Sequence, residues 1–202
     1  MQAPSPFSLE RPLPDGLTLR LARDEDDLRA VLEAHAAAFG EEERLLLEAK
    51  LFQRPGRRPE QVILVEDAAA GRVASSVSLV EQTWSYEGIP LRVGEVGIVS
   101  TRPEYRHRGL VRAQFDVYHR LARRAGCLLS VISGIPYFYR QYGYEYIIAT
   151  GGGARLFCEQ IPPLAEGQPS PYGVRSATPK DWPQVLALYR ASVQEACLSA
   201  VV

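Results

Sequence analysis

The stretch Val-Ser-Thr-Arg-Pro-Glu-Tyr-Arg-His-Arg-Gly-Leu-Val-Arg, residues 99–112, decides the fold. An apolar strand runs into it, and an amphipathic helix leaves it after Gly109. Val111, Phe115, Tyr118, Ala122 and Ala125 share one helical face with Leu110, Val117 and Leu121, while Arg112, Asp116, His119, Arg120 and Arg123 take the other. This spacing predicts a helix to about Ala125 with one stripe to bury and one to solvate. No Ser, Thr, Asp or Asn stands just before Gly109 to cap the free N–H groups of its first turn. Arg106, Arg108 and Arg112 crowd the end where the helix dipole is already positive. A bound anion would accept those N–H groups and offset the arginines, and Gly109 would let the backbone approach it closely. The plain alternative is that the arginines are solvated and Gly109 only turns the chain.

Two familiar phosphate loops do not fit. A Walker-type loop needs Gly-Lys-Ser/Thr, and the lysines of this chain are Lys50 and Lys180 alone. A dinucleotide-binding GxGxxG is absent from the window.

Composition sets wide bounds. The 202 residues can bury a full core, with one main domain and a small appendage. Hydrophobic content of 46% and charged content of 23% describe an ordinary globular chain. A net charge of −1 gives no reason to expect nucleic acid or an acidic membrane as partner. No apolar run approaches the ~18 residues needed to span a bilayer. Cys127, Cys158 and Cys197 lack both metal-ligand and disulfide-framework spacing, and read as small hydrophobes in a reducing compartment. His35, His107 and His119 form no ligand cluster, so no metal is expected. The first sixteen residues hold four prolines but no signal-peptide core, and a cytoplasmic location is expected.

Along the chain, residues 1–16 read as a flexible Pro-rich leader and Leu17–Arg23 as a first strand. Asp24 caps a helix carrying Leu28, Val31, Leu32 and His35, and a second helix runs from Glu41 to Phe52 until Arg54-Pro55-Gly56 breaks it. Strands follow at Gln61–Glu66, Arg72–Tyr86 and Leu91–Thr101, the last two turned at Glu87-Gly88. After the motif helix come a strand at Leu128–Ile132, a short helix near Pro136–Gln141, and strands around Glu145–Thr150 and Ala154–Glu159. The pattern is mixed α/β (α+β), a mostly antiparallel sheet flanked by helices. Residues 161–172 read as a linker. Residues 173–202, with an extended Tyr172–Ser176 and a helical Asp181–Cys197, read as the start of a second domain or as a C-terminal arm.

Arg106-His107-Arg108-Gly109-Leu110-Val111 resembles the Arg/Gln-x-x-Gly-x-Gly/Ala signature of the GCN5-related N-acetyltransferase (GNAT) superfamily, with Val111 departing from the last position. Tyr137-Phe138-Tyr139-Arg140-Gln141-Tyr142-Gly143-Tyr144 is similar to the family's late Phe-Tyr-x-x-x-Gly-Phe/Tyr segment. Residues 101–110 and 139–144 also resemble the branch of the mycobacterial enhanced intracellular survival acetyltransferases. Members of that branch are longer, with a second GNAT-like domain and a sterol-carrier-like domain. The resemblance covers residues 17–160 and implies a GNAT domain there.

What the resemblance implies is an acetyl-CoA-dependent N-acetyltransferase acting by direct attack in a ternary complex. The implied partner is a small-molecule or peptide amine, such as a polyamine-like or aminoglycoside-like acceptor; a homo-oligomer stays open. Val99, Ser100 and Thr101 match the strand whose backbone holds the pantetheine arm. Arg106, His107, Arg108, Gly109, Leu110, Val111 and Arg112 match the phosphate loop, and Gly134 joins the cofactor set. Tyr139 aligns with the tyrosine that protonates the leaving sulfur; a phenol with pKa near ~10 can donate at neutral pH. Glu95 has the spacing of the family's catalytic glutamate. Its even spacing from Val99 and Thr101 places all three on one strand face, and desolvation there would suit a base. Packed-core roles for Tyr139 and a solvated ion pair for Glu95 are the structural alternatives. The functional alternatives are a non-catalytic acyl-CoA-binding module or an inactive N-terminal fragment of a longer acetyltransferase.

Overall fold

A computed structural model describes residues 9–135, 137–147, 157–160, 172–194 and 196–201. Most of the expected leader, residues 148–156 of the expected strands and residues 161–171 of the expected linker lie outside the described residues. The chain forms two compact units, residues 1–144 with 198–202, and residues 145–197.

The first unit is built on a sheet of β1 (Arg11–Pro12), β2 (Leu17–Leu21), β3 (Val62–Asp67), β4 (Arg72–Tyr86), β5 (Ile89–Thr101) and β6 (Leu129–Val131), in that order. All these neighbours pair antiparallel except β5 and β6. Within the stretch read as a leader, Arg11 and Pro12 pair with Leu19 and Thr18. A strand that sequence did not indicate, β7 (Leu198–Ala200), pairs antiparallel with Trp84–Tyr86 of β4.

Alternation explains how β3 serves both layers. Ile63 and Val65 face α3 (Leu110–Arg124) with Leu79, Val96, Phe115 and Tyr118. Val62 and Leu64 face α1 (Glu25–Phe39) with Leu28, Val31 and Leu32. Asp24 caps α1 by accepting the Asp27 N–H at 3.0 Å. The second helical run begins as a 3-10 turn at Glu41–Glu43, continues as α2 (Arg44–Glu48) and ends as a π-helical turn at Ala49–Gln53. The β4–β5 hairpin turns at Glu87 (φ 47°) and Gly88 (φ 83°), the paired positive φ values that a two-residue turn demands.

One expectation about β5 is overturned. Ser78 pairs with Gly97 but Ser76 pairs with Ser100, so Ile98 and Val99 together oppose Val77. Ile98 is the extra residue, held at φ 47°, a region costly to a β-branched side chain. The bulge reverses the side-chain alternation. Glu95 therefore faces α1, whereas Val99 and Thr101 face α3, and even spacing misplaced them on one face. The expected strand at Ala154–Glu159 is also corrected: Cys158–Gln160 form a 3-10 turn. In the second unit, the expected helix forms as α4 (Trp182–Val193) after a 3-10 turn at Pro179–Asp181.

Arg20 locks three elements together. Its guanidinium donates to both carboxylate oxygens of Asp27, at 2.6 and 2.7 Å, and to Glu66 at 2.7 Å. That hydrogen bonding holds the Asp27 carboxyl below its ordinary pKa. Such an acid stabilises the fold above its unfolded pKa, and the contribution is lost as pH falls through the folded value. Arg20→Met should lower unfolding free energy by about 3 kcal/mol at neutral pH, because two carboxylates lose their partner. The gap from wild type should narrow below about pH 4. Denaturant titrations at pH 7 and pH 3 check this, and an equal gap at both would refute it.

Candidate active site

The start of α3 is as bare as the sequence suggests. Gly109 sits at φ 72° as the N-cap, and no side chain caps the turn. The first intrahelical bond is from the Ala113 N–H to the Gly109 carbonyl at 3.1 Å. The N–H groups of Leu110, Val111 and Arg112 thus have no helical acceptor. His107 is also held at positive φ, 62°, a conformation that costs a non-glycine residue about 1–3 kcal/mol and clusters at functional loops.

The side chains around this turn divide. Leu110 is 4% exposed and belongs to the core, so only its backbone can serve a ligand. Val111 packs against the same core, which is how a branched side chain is accommodated in place of Gly or Ala. Arg108 bonds the Glu104 carbonyl at 3.1 Å, lies 3.7 Å from Asp15 and sits over the Tyr105 ring. Arg112 donates to Gln141 at 2.9 Å and covers the Tyr142 ring. The protein itself therefore relieves part of the arginine crowding. Arg106 is exposed.

Beside this turn the sheet divides. β5 and β6 pair only at Val93–Leu129, Gly94–Ser130 and Glu95–Val131. Beyond that rung, β5 continues to Thr101 with no strand on this edge among the described residues. The end of β5 is tied to α3 through a buried polar cluster. Ser75 Oγ lies 2.9 Å from Thr101 Oγ1, 2.8 Å from the Ser100 carbonyl oxygen and 2.7 Å from Gln114 Oε1. One hydroxyl carries one proton, so Ser75 donates to one oxygen and accepts from Thr101. Gln114 also donates to the Ile63 carbonyl at 3.1 Å. The Ser100 side chain turns to the α1 face, where its Oγ meets Ser76 Oγ at 2.8 Å.

Glu95 stands at the last rung before the split and lines a cavity of about 200 Å³ on the α1 face. Gln82 Nε2 donates to Glu95 Oε2. Trp84 Nε1, which can only donate, reaches Gln82 Oε1 at 2.7 Å and so fixes which end of the amide meets Glu95.

Tyr139 lies in the 3-10 turn Phe138–Tyr142 and packs partly buried on the α3-side core. Its ring meets Phe138 at 5.0 Å and Phe115 at 6.0 Å between centroids. It covers Gly134 so closely that a Cβ there would overlap the ring. Burial pushes the Tyr139 phenol pKa up, which keeps it protonated. Its hydroxyl makes no hydrogen bond among the described residues.

An acetyltransferase (GNAT) domain family model matches residues 18–147. The chain belongs to the GNAT family. Solved structures share its fold at low identity. N-myristoyltransferase from Saccharomyces cerevisiae superposes with TM-score 0.62 at 12% identity, covering 95% of this chain and 50% of that one. A probable N-acyltransferase from Enterococcus faecalis gives 0.53 at 22%, covering 64% and 32%. Eis1 from Mycobacterium abscessus gives 0.50 at 12%, covering 63% and 31%. The chain thus spans from 31% to 50% of the length of these structures. No curated protein sequence matches it.

In this GNAT domain three residues that support the ends of β5 and α3 and the Glu95 side chain escaped the sequence reading. Gln114, Ser75 and Gln82 look like ordinary polar residues within a helix and a strand. The burial of Gln114 and Ser75 and the cross-element or cross-strand bonds of all three mark them, and none has a local sequence signal. Among the described residues no group of His, Cys, Asp or Glu could hold a metal ion, and no helix is long and apolar enough to cross a membrane.

The Gly134 contact can be tested by itself. Gly134→Ala should displace the Tyr139 ring and cost about 1–3 kcal/mol through overpacking. Gly134→Ala in a Tyr139→Ala background should cost far less. Equal costs in both backgrounds would show that the ring does not rest on Gly134.

Proposed function

We propose that the chain transfers an acetyl group from acetyl-CoA to a primary amine by direct attack in a ternary complex. The observation that carries this reading is the uncapped end of α3, tied through Gln114 and Ser75 to the unpaired end of β5. The free N–H groups of Leu110, Val111 and Arg112 suit a pyrophosphate. Arg106 and His107 flank them, and Arg108 and Arg112 add positive charge from their anchored positions. The backbone of Val99, Ser100 and Thr101 offers the edge along which a pantetheine arm would run.

Glu95 and Tyr139 have complementary chemistry, a carboxylate that would act as base and a phenol that would act as acid. Glu95 approaches from the α1 face and Tyr139 belongs to the α3 side. The amine nitrogen bonds to the thioester carbon, and the carbon–sulfur bond breaks. Glu95 takes the proton lost by nitrogen, and Tyr139 gives one to sulfur. Gly134 contributes by making room for the Tyr139 ring rather than through a side chain of its own.

The second reading is a non-catalytic acyl-CoA-binding module, or an inactive part of a longer acetyltransferase. It draws on the partial span of the solved structures. The fixed orientation of Glu95 by Gln82 and Trp84 favours the catalytic reading.

Gly109→Val forces a branched residue to φ 72° and should weaken coenzyme A affinity by about tenfold or more. Calorimetry checks this, and unchanged affinity would count against the loop. Tyr139→Phe removes only the hydroxyl. It should lower turnover by about 10²–10⁴-fold while leaving acetyl-CoA affinity nearly intact. Thiol release over an amine panel measures it; normal turnover would assign Tyr139 to packing alone.

A further inference from the structure

The cavity under Glu95 has a charge pattern that bears on the acceptor. Its lining includes Glu95 as its one carboxylate, together with Lys50, Arg54, Arg57 and Arg58. Two of these cations are already matched. Arg57 pairs with Glu25 at 2.9 Å, and Arg58 with Glu81 at 2.7 Å. Arg54 is not. This half-buried guanidinium makes its hydrogen bond to a neutral amide, Gln61 Oε1 at 2.8 Å, and forms no ion pair among the described residues. Burial lowers its pKa, as expected for a cation held away from water without a contacting anion. Lys50 on the same lining also forms no ion pair among the described residues.

A second feature points to a ligand independently of the charges. Ser78 is 3% exposed, and its Oγ is buried without a hydrogen-bond partner while lining this cavity. A buried hydroxyl left without a partner is destabilising unless something meets it. The space in front of it exists because Gly97 lacks a side chain: a Cβ there would lie 2.9 Å from Ser78 Oγ and 3.1 Å from Val80 Cγ2. At about 200 Å³ the cavity is smaller than the ~300–1,000 Å³ typical of drug-sized ligands.

We propose that this cavity admits a small primary amine that carries its own anion, a carboxylate or a phosphate, with the amine at Glu95 and the anion toward Arg54 and Lys50. The assignment of the amine end rests on the transferase reading above. A polyamine or an aminoglycoside would bring several cations to a lining that already holds two unmatched ones, and an aminoglycoside would exceed its volume. Arg54 suits either anion because its fork of N–H donors matches carboxylate and phosphate oxygens alike.

The test is calorimetry on the full chain with coenzyme A present, using matched amines. The probes are 4-aminobutyrate, butylamine and 1,4-diaminobutane for the carboxylate, and O-phosphoethanolamine with ethanolamine for the phosphate. At least one anionic amine should bind ten times or more tighter than its anion-free match, and the tighter of the two anions identifies the group. Arg54→Met should erase that preference, and Arg54→Lys should retain most of it. Equal affinities, tightest binding of 1,4-diaminobutane, no binding of any probe, or a folded Arg54→Met with its preference intact would each overturn the proposal. If Arg54→Met fails to fold, the ranking on wild type and Arg54→Lys decides. Thiol release with the same amines separates the two readings. An anionic preference in binding without thiol release would count against acetyl transfer and leave the anion end of this inference, at Arg54, standing. Thiol release without an anionic preference would do the reverse.

Discussion

One extra residue in β5 organises the site. Without the bulge at Ile98, the alternation of the strand would send Glu95, Val99 and Thr101 to a single face. With it, Glu95 faces the α1 layer while Val99 and Thr101 face α3. The strand can then present one chemistry on each side of the sheet. A β-branched residue at φ 47° is a costly way to achieve this, and it persists because both neighbours are pinned. Ser100 is held to Ser76 on one side of the bulge, and Gly97 is paired with Ser78 on the other. The early end of β6 completes the arrangement. The pairing of β5 with β6 ends at Glu95, so the rest of β5 has no strand on that edge among the described residues.

Glycines around this point serve space rather than flexibility. Gly97 clears the cavity in front of Ser78. Gly94, on the opposite face, leaves room for the Tyr118 hydroxyl and Leu79; a Cβ there would lie 3.1 Å from the first and 2.9 Å from the second. Tyr118 then donates to the Gly94 carbonyl or shares a hydrogen bond with Ser130, which in turn meets Tyr144 at 2.6 Å. The two glycines flank Glu95 at positions where a strand usually prefers larger residues. Packing against this strand explains what propensity alone would count as a weakness.

The parts legible in sequence were those governed by local rules. Helical periodicity located α3 to within a residue at each end, the Asp24 cap located α1, and Glu87-Gly88 located the hairpin. Each depends on neighbours within a few positions. The bulge depends on how β4 and β5 register across the sheet; Gly97 beside Ile98 is the sequence signal for one, but a glycine in a strand does not by itself fix where the register shifts. β7 depends on a pairing between Leu198–Ala200 and Trp84–Tyr86, more than a hundred residues apart. The same holds for the site. Gly109 and Tyr139 carry motif signals, whereas Gln114, Ser75 and Gln82 gain their roles only through partners on other elements. Arginine crowding at the helix start was legible as charge, but the anchors at Asp15 and Gln141 that relieve it were not.

The start of α3 and the cavity beside Glu95, the two regions proposed to hold the substrates, would attract negative charge by different means. At α3 the attraction comes mainly from backbone N–H groups and the helix dipole. Those are fixed by the fold and cannot be lost through rearrangement of a side chain. Two of the three arginines there are committed to protein partners and act as background charge. In the cavity the attraction rests on side chains, chiefly Arg54, whose neighbour Gln61 is itself held by Glu81 at 2.9 Å. A backbone site suits a group that is constant from turnover to turnover, as a cosubstrate phosphate would be. A side-chain site is the one that substitution can retune, as a variable acceptor would require. Glu95 lies between them, held by Gln82 at the point where the sheet divides, so its position is set by β4 and not by either ligand.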